Sequence, residues 1–454
     1  MYRVTQYVIY PKDELYDYCC RMAKLANNMY NTSLFYIRQV MTAMTKLDKK
    51  EHLHENEITI LKEIEDALPS MNRSRRNDNL FVMPTTKNKI LSYQFLNALF
   101  KTTKNRDYMS ELSRQTAQNM IKIATQDIKK FFLSLRTYKQ NPDGFTGKPR
   151  IPSYKKSGGS CTFELTNQDI TFRDGKLNFP KTKASFIVGD SIHGKIKVVH
   201  IKPYYNNFLL CITYDDGNSF NKEYVDPERI IAIDFGINNI AAIANNVGLP
   251  GLLFKGGIVK AENQWFNKKR ASIMHGLMVG KTNPNQFTCH SLEKISMHRN
   301  GLIKTYLHTI SNQIVQWSVD NQIDTIVLGY NKYWKKKINI GSSNNQNFTS
   351  IPFGQLKHYL HYKGERCGIR VIEQEESYTS KASFLDADQI PVYNDNIEYC
   401  KFSGRRISRG LYRSQNGTIV NADLNGAGNI LRKACPKAFE SSTSYKFLTE
   451  FKTM

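Results

Sequence analysis

Apolar positions along the chain follow three successive regimes. Between residues 14 and 44, Leu15, Cys19, Met22, Leu25, Met29 and Leu34 recur every three to five residues, which predicts a helix. The stretch 113–138 shows the period more clearly, with Ala117, Met120, Ile121, Ala124, Ile128, Phe131, Phe132 and Leu135 forming one stripe. Its other face carries Lys122, Lys129, Lys130 and Arg136, either as a solvated basic face on a core helix or as a contact for a polyanion. From 139 to 160 the period breaks into KQNPDGFTGKPRIPSYKKSGGS, punctuated by Pro, Gly and Ser. That segment reads as a flexible linker or as a strap that follows a phosphate backbone. Over 161–225 short runs such as KIKVVHI and FLLCITY predict strands. The N-terminal RVTQYVIY has the same character. If it joins their sheet, 14–138 becomes a helical insertion, and Asp226 with Pro227 closes the segment.

The last regime mixes buried-looking strands with helices. IIAID at 230–234 ends on a carboxylate, Gly236 allows a turn, and further strands are predicted at about 239–244 and 252–259. After a helical region at 291–320 come IDTIVLG at 323–329, a helix around 354–366, and IRVIEQEE at 369–376. NADLNGAGNILRKA then sets Asp423 just before a helix carrying Ala427, Ile430, Leu431 and Ala434. Three hairpin strands followed by alternating helices and strands are the plan of a ribonuclease-H-like fold. In that plan the first strand and the later parallel strands end on one side of the sheet.

Composition narrows the partner. The 454 residues are 40% hydrophobic and 11% aromatic, enough to build cores in roughly two to four domains. Lys and Arg number 64 against 40 Asp and Glu, a net charge of +24, which points to a polyanion. Residues 101–160 alone hold 13 basic and 4 acidic side chains. A basic membrane-surface protein is the competing class, but no long apolar run or basic amphipathic anchor supports it. The N-terminal MYRVTQYVIYPKDEL lacks the apolar core of a secretory signal. Of eight cysteines only Cys19 and Cys20 are close in sequence, so a disulfide framework is not expected and a reducing compartment fits. No C-x-x-C pair is present, and His358 with His361 lacks a second ligand pair, so a metal role for that pair is weakly supported.

Four motifs in order carry a resemblance. IAIDFGINNIAAIANN, NADLNGAGNI, YTSKAS and FTGKPRIPSYKK resemble those of the TnpB family of transposon-encoded, RNA-guided nucleases and of the compact type V CRISPR effectors related to it. The resemblance implies an α/β plus α+β multidomain protein. Its parts would be a wedge-like β domain (1–13 and 145–225), an inserted helical recognition lobe (14–144), and a ribonuclease-H-like (RuvC) nuclease domain (226–454). It further implies a site in which an Asp–Glu–Asp set holds two Mg²⁺ ions, with Mn²⁺ as a substitute. Two hard cations require several converging carboxylates. Asp234 matches the family's first aspartate and Asp423 its last. Each, taken alone, also suits a turn or helix cap.

The middle acid departs from the family pattern. Where the family normally carries Glu at a strand end, this chain has VLGYN, with Gly329 in that place. Some relatives, and the related Fanzor proteins, carry a relocated glutamate three residues before Thr-Ser-Lys. Here Glu376 stands three before Thr379-Ser380-Lys381, 47 positions beyond Gly329, at the end of the next predicted strand. Neighbouring strands lie about 4.8 Å apart, a gap that a Glu side chain spans. Glu375 is the alternative, because a strand sends successive side chains to opposite faces. The family's two cysteine pairs after that point are also missing: Ala382 follows Lys381, and Cys400 is the only cysteine across 377–422. The expectation is a degenerate zinc-finger-like insert at about 377–422 without zinc, held by apolar contacts such as Phe384, Leu385 and Tyr412.

The function implied is an RNA-guided DNA endonuclease, with guide RNA and double-stranded target DNA bearing a short flanking motif as partners. Lys122, Lys129, Lys130, Lys148, Arg150, Tyr154, Lys155 and Lys156 are the candidate nucleic-acid contacts. The run Lys335-Lys336-Lys337 after Trp334 either faces the entering strand or is a solvated loop. Loss of the middle acid keeps a second reading open, a nuclease-inactive RNA-guided DNA-binding repressor. A generic RNA-binding protein leaves the ordered acid motifs unexplained. Whether the guide comes from a transposon end or a CRISPR array stays open, and a bacterial cytoplasm is the expected location.

Overall fold

The structure is a computed structural model that describes residues 2–218, 226–280, 288–330, 350–392, 401–440 and 445–454. It divides into two units, 1–218 and 219–454. The first contains β1 (Tyr2–Ile9), α1 (Tyr16–Asp48), α2 (Glu55–Asn72), α3 (Tyr93–Thr102), α4 (Arg114–Gln140), β2 (Phe163–Thr166), β3 (Thr171–Arg173), β4 (Lys176–Asn178), β5 (Ser185–Ile187), β6 (Lys195–Tyr204) and β7 (Asn207–Asp215). Strand order is β1-β7-β6-β2 in an antiparallel sheet, with β3-β4-β5 as a smaller one. All four helices therefore lie in sequence between two strands of the same sheet.

Sheet and helices share one apolar core. Leu34, Ile37 and Val40 of α1 and Leu99 and Phe100 of α3 are fully buried in it, as are Ile201 and Leu210 of the sheet. The apolar stripe of α4 sinks into this core only as far as Ile128; Phe131, Phe132 and Leu135 are half-buried and Leu133 is 66% exposed, because the helix outruns the layer it packs on. Helices α2 and α3 have no counterpart among the sequence-predicted elements. Both carry an apolar stripe at helical spacing, Ile60, Ile64, Ala67 and Met71 in α2 and Phe95, Leu96, Leu99 and Phe100 in α3, which was the available signal.

The second unit is built on one six-stranded sheet. Its elements are β8 (Ile230–Asp234), β9 (Asn239–Asn245), β10 (Gly251–Lys255), α5 (Gly257–Met278), α6 (His290–Asp320), β11 (Thr325–Tyr330), α7 (Phe353–Arg366), β12 (Arg370–Glu375), β13 (Arg405–Ser408), β14 (Leu411–Arg413), β15 (Ile419–Asn421), α8 (Ala422–Ala434), α9 (Lys446–Thr449) and β16 (Phe451–Thr453). The order is β12-β11-β8-β9-β10-β16, with β8, β9 and β10 antiparallel and β8, β11 and β12 parallel. Strands β8 and β11 read as unbroken apolar runs because both faces are covered. Ile231, Ile233, Ile326 and Leu328 pack against α6 and α7, whereas Ile230, Ala232 and Val327 pack against Ile430 and Leu431 of α8.

Several boundaries differ from the sequence-based expectation. The third strand stops at Lys255 and gives way to α5, since Gly256 and Gly257 break the extended run. Strand β16, which pairs parallel to β10, was not anticipated: three exposed residues carry no period to read. Among the described residues no helix is long and apolar enough to cross a membrane.

One charged pair in the first unit yields a test. Glu57 is 2% exposed, takes Lys46 Nζ at 3.0 Å, and accepts the His54 N–H at 2.8 Å in a capping box that starts α2. Burial raises its carboxyl, but the His54 N–H and Lys46 outweigh that and the net shift is downward. A depressed folded-state value stabilises the protein above the ordinary glutamate range and is lost as pH falls through it. Glu57→Gln is expected to cost on the order of 1–3 kcal/mol near neutrality. The gap between wild type and variant in urea unfolding should shrink as pH drops below about 4.

Candidate active site

Asp234 closes β8, and its neighbours explain how a third acid reaches it. The paired strands put Ile233 opposite Leu328, so one residue further on Asp234 is level with Gly329 of β11. On the other side of β11, Gly329 is level with Gln374 and Tyr330 with Glu375, and the Glu376 N–H donates to the Tyr330 carbonyl at 3.2 Å. A Cβ on residue 329 would stand 2.6 Å from Glu376 Oε2 and 2.9 Å from Ile430 Cδ1. The Glu376 carboxylate occupies the room that glycine leaves. Glu375 points elsewhere: its Oε2 takes Lys433 Nζ at 2.6 Å and its Oε1 accepts the Ser377 N–H at 2.7 Å. Of the two candidate glutamates, Glu376 is therefore the one beside Asp234.

Asp423 comes from the first turn of α8. It is not the helix cap, because the Asn421 side chain accepts the N–H groups of Asp423 and Leu424. Its carboxylate is engaged by side chains instead: Asn239 Nδ2 donates to Oδ2 at 2.7 Å, and Arg406 Nη2 donates to Oδ1 at 3.3 Å. Gly426, one turn further, faces Asp234, and a Cβ there would stand 2.7 Å from Asp234 Oδ2. Burial first, then the charges of Glu376 and Asp423, push the Asp234 carboxyl well above the usual range, while Arg406 pulls the other way.

The turn that follows Glu376 is fastened to α8. Asn429 Nδ2 donates to the carbonyls of Thr379 and Ala382 at 2.9 and 2.7 Å, and Asn425 Nδ2 donates to that of Ala382 at 2.8 Å. Both asparagines are fully buried, and Thr379 Oγ1 closes the turn on the Glu376 carbonyl at 2.8 Å. One helix thus carries Asp423 at its start and fixes Glu376 from its middle. Sequence reasoning passed over Asn425, Asn429 and Lys433. Two asparagines at i, i+4 on an apolar helix face were the available signal.

This set suits hard divalent cations in its chemistry: three carboxylates, no thiol or imidazole, and two glycines that leave space where a side chain would intrude. Even so, among the described residues no three His, Cys, Asp or Glu side chains are drawn together closely enough to hold an ion, and Asp423 is turned to Asn239 and Arg406. His361 pairs with Glu373 at 3.5 Å and His358 lies against Tyr362, so these histidines do not meet at a common point.

The expected finger-like insert contains the β13-β14-β15 sheet. Phe384 and Tyr412 are buried, Leu385 packs beside them, and the Tyr412 hydroxyl donates to the Lys381 carbonyl at 2.8 Å. A polar link adds to these apolar contacts. The Asp388 carboxylate accepts the N–H of Ser383 at 2.7 Å and the N–H and Oγ–H of Ser403, and so ties residue 403 to the turn after Lys381. Cys400 lies outside the described residues, as do Trp334, Lys335, Lys336 and Lys337.

Basic side chains flank the acids and were also missed. Residues 401–413 carry Lys401, Arg405, Arg406, Arg409 and Arg413 without an acid. The Lys260 ammonium on α5, hydrogen-bonded to Asn238, is held below the usual lysine range by burial and by Arg409. Lys122, Lys129, Lys130, Lys148, Arg150, Tyr154, Lys155 and Lys156 belong to the first unit and are all exposed. The strap at 154–156 is ordered against α1. Asn31 bonds both the N–H and the carbonyl of Lys155, Asn27 bonds the Lys156 carbonyl, and Arg38 lies over the Tyr154 ring at 4.7 Å. The segment is thus a fixed basic strip rather than a free linker.

Comparison with known proteins bears on this arrangement. The family model of a probable transposase, OrfB_IS605, matches residues 211–335, and that of the Cas12f1-like TNB domain matches 353–430. A TnpB-like protein, ORF457, of Acidianus two-tailed virus is 27% identical over 217 residues, or 45% of this chain. In these segments the chain resembles TnpB-family proteins and the compact type V effectors. The match spans 42% of the viral protein's length. Among solved structures, the chain is similar to a Cas12f1 complex with single-guide RNA and target DNA (13% identity, TM-score 0.32, 95% of this chain and 98% of the other). It is also similar to the mini-RNA-guided endonuclease CRISPR-Cas_phi3 (9% identity, TM-score 0.47, 96% and 92%).

Two substitutions test the local geometry. Alanine at Gly329 meets the flexible ends of Glu376 and Ile430 and stands 3.3 Å from the Ile233 carbonyl oxygen, so the variant should fold with a destabilisation of about 1–2 kcal/mol, and its crystal structure should show the Glu376 carboxylate displaced. Asp388→Ala leaves the Ser383 and Ser403 donors unpaired and should cost about 1–3 kcal/mol in chemical unfolding. Prior treatment with a chelator should leave the wild-type midpoint unchanged.

Proposed function

We propose that this chain is an RNA-guided DNA endonuclease whose second unit is a ribonuclease-H-like (RuvC) domain. The reading rests on one observation above the others: the Glu376 carboxylate fills the space left by Gly329 and so stands beside Asp234, restoring an acid where the strand sequence lacks one. Asp234, Glu376 and Asp423 would hold two Mg²⁺ ions, or Mn²⁺ in their place. Such ions, when bound, activate a water for attack on phosphorus and stabilise the leaving 3′ oxygen. Asp423 would exchange its contacts with Asn239 and Arg406 for that role. Freed from Asp423, Arg406 would join Lys260 and Arg409 in neutralising the phosphates of the strand to be cut.

The first unit supplies the rest of the reading: its sheet as a wedge-like domain, its helices α1–α4 as a recognition lobe, and guide RNA and target DNA as partners. The exposed strip at 148–156 and the lysines of α4 offer sequence-independent backbone contacts. Base pairing to the guide would then carry the sequence specificity. A cytoplasmic, DNA-associated location follows from those partners.

One observation favours the repressor alternative, namely that both Asp423 oxygens are already engaged by protein donors. A matched plasmid separates the two readings. With guide RNA and Mg²⁺ the wild type should cut it, and Asp234→Ala should lower the rate by at least about a thousandfold while target binding is retained. Full target binding by the wild type with no cutting would establish the repressor reading instead.

A further inference from the structure

Asn239 is an uncharged side chain that bonds the acid set, and half of it is unaccounted for. It begins β9, one residue after Asn238 and five after Asp234, where the β9–β10 pairing shifts register between Phe254 and Lys255. Irregularities of this kind re-aim a side chain at a sheet end. Asn239 is 6% exposed, and its Nδ2 donates to Asp423 Oδ2 at 2.7 Å. An ionised carboxylate only accepts hydrogen bonds, so this contact fixes which way the amide faces. The amide oxygen Oδ1 is then turned away from Asp423. It is buried and has no hydrogen-bond partner among the described residues.

A core position in this sheet has no use for such a group. Buried amide oxygens are almost always paired, and the neighbouring β9 positions Ile240, Ala241 and Ala242 are fully buried apolar residues. A residue chosen for packing alone would be one of those. An unpaired acceptor on a side chain bonded to Asp423 instead fits a partner that arrives with the cation, because water bound to a divalent ion is a strong donor and needs an acceptor outside the ion's own ligands.

We infer that Asn239 is a positioning residue of the acid site, holding Asp423 in place through Nδ2 and offering Oδ1 to a cation-bound water. This rests on the reading of Asp234, Glu376 and Asp423 as cation ligands. Asn239 would stay a neutral group there, so that a fourth negative charge is not added to an already strained cluster.

The test is Mn²⁺ binding to the full chain, measured by electron paramagnetic resonance on wild type, Asn239→Ala and Asp234→Ala, together with thermal midpoints without metal. Outer-shell partners of this kind are worth about 10–100-fold in metal affinity. Asn239→Ala should therefore bind Mn²⁺ at least about tenfold more weakly, with a metal-free midpoint equal to or above that of wild type because the unpaired oxygen is gone. Unchanged Mn²⁺ affinity together with a lowered midpoint would make Asn239 a structural residue and overturn the inference. If Asn239→Ala does not fold, Asn239→Ser, which is too short to reach either partner, should show the same tenfold loss, and unchanged affinity there overturns the inference equally. Asp234→Ala separates the levels. If it loses Mn²⁺ while Asn239→Ala keeps it, only the inference about Asn239 fails; if it binds Mn²⁺ as wild type does, the acid-site reading itself fails.

Discussion

Mutual repulsion of three carboxylates is the constraint around which the second unit is arranged. Burial is the first cause of the raised Asp234 carboxyl, and the charges of Glu376 and Asp423 add to it. The unit answers with rigidity. Asp234 ends a strand buried on both faces; Glu376 follows a strand paired to β11 over six residues; Asp423 lies in the first turn of a helix whose body is packed into the sheet. The bonds from Asn425, Asn429 and Lys433 to the turn around Glu376 make α8 the part on which two of the three acids depend. Interactions that look structural are what keep a charged cluster from relaxing.

The same constraint explains the compensating cation. Arg406 reaches Asp423 from the small β13–β15 sheet, a segment otherwise held by aromatic packing and by Asp388. A guanidinium placed there lowers the electrostatic cost of the acid-rich site in the absence of other positive charge. At the same time it engages an oxygen that the proposed function requires. A site that neutralises itself is more stable and less reactive than one left open, and on the proposed reading loading the site and approaching the nucleic acid are coupled through this one side chain.

How far the sequence carries these features depends on how local they are. Asp234 and Asp423 stand at the ends of segments whose apolar runs can be read directly, and Glu376 is reached from its spacing to Thr379, Ser380 and Lys381. The strands β8, β9 and β11 fall close to where the apolar runs place them, since a sheet covered on both faces leaves a continuous signal. The choice between Glu375 and Glu376 could not be made from alternation alone. It depends on Lys433, some 58 positions downstream, taking one of the pair. Strand β16 and the Asp388 link leave no periodic trace, because each depends on partners far away in the chain, whereas the stripes of α2 and α3 were legible and were passed over.

Asn239 shows the limit most clearly. In the sequence it is one of two adjacent asparagines in a turn after a strand, where Asn is favoured for its own backbone preferences. Only the fold shows that the two differ: Asn238 faces the α5 lysine at the surface, whereas Asn239 is buried with one end on Asp423 and the other unpaired. Replacing Gly329 by a larger residue would crowd Glu376 out of its place, and replacing Asn239 would release Asp423 from its orientation. Both depend on a neighbour that supplies nothing but the right amount of space or the right neutral dipole.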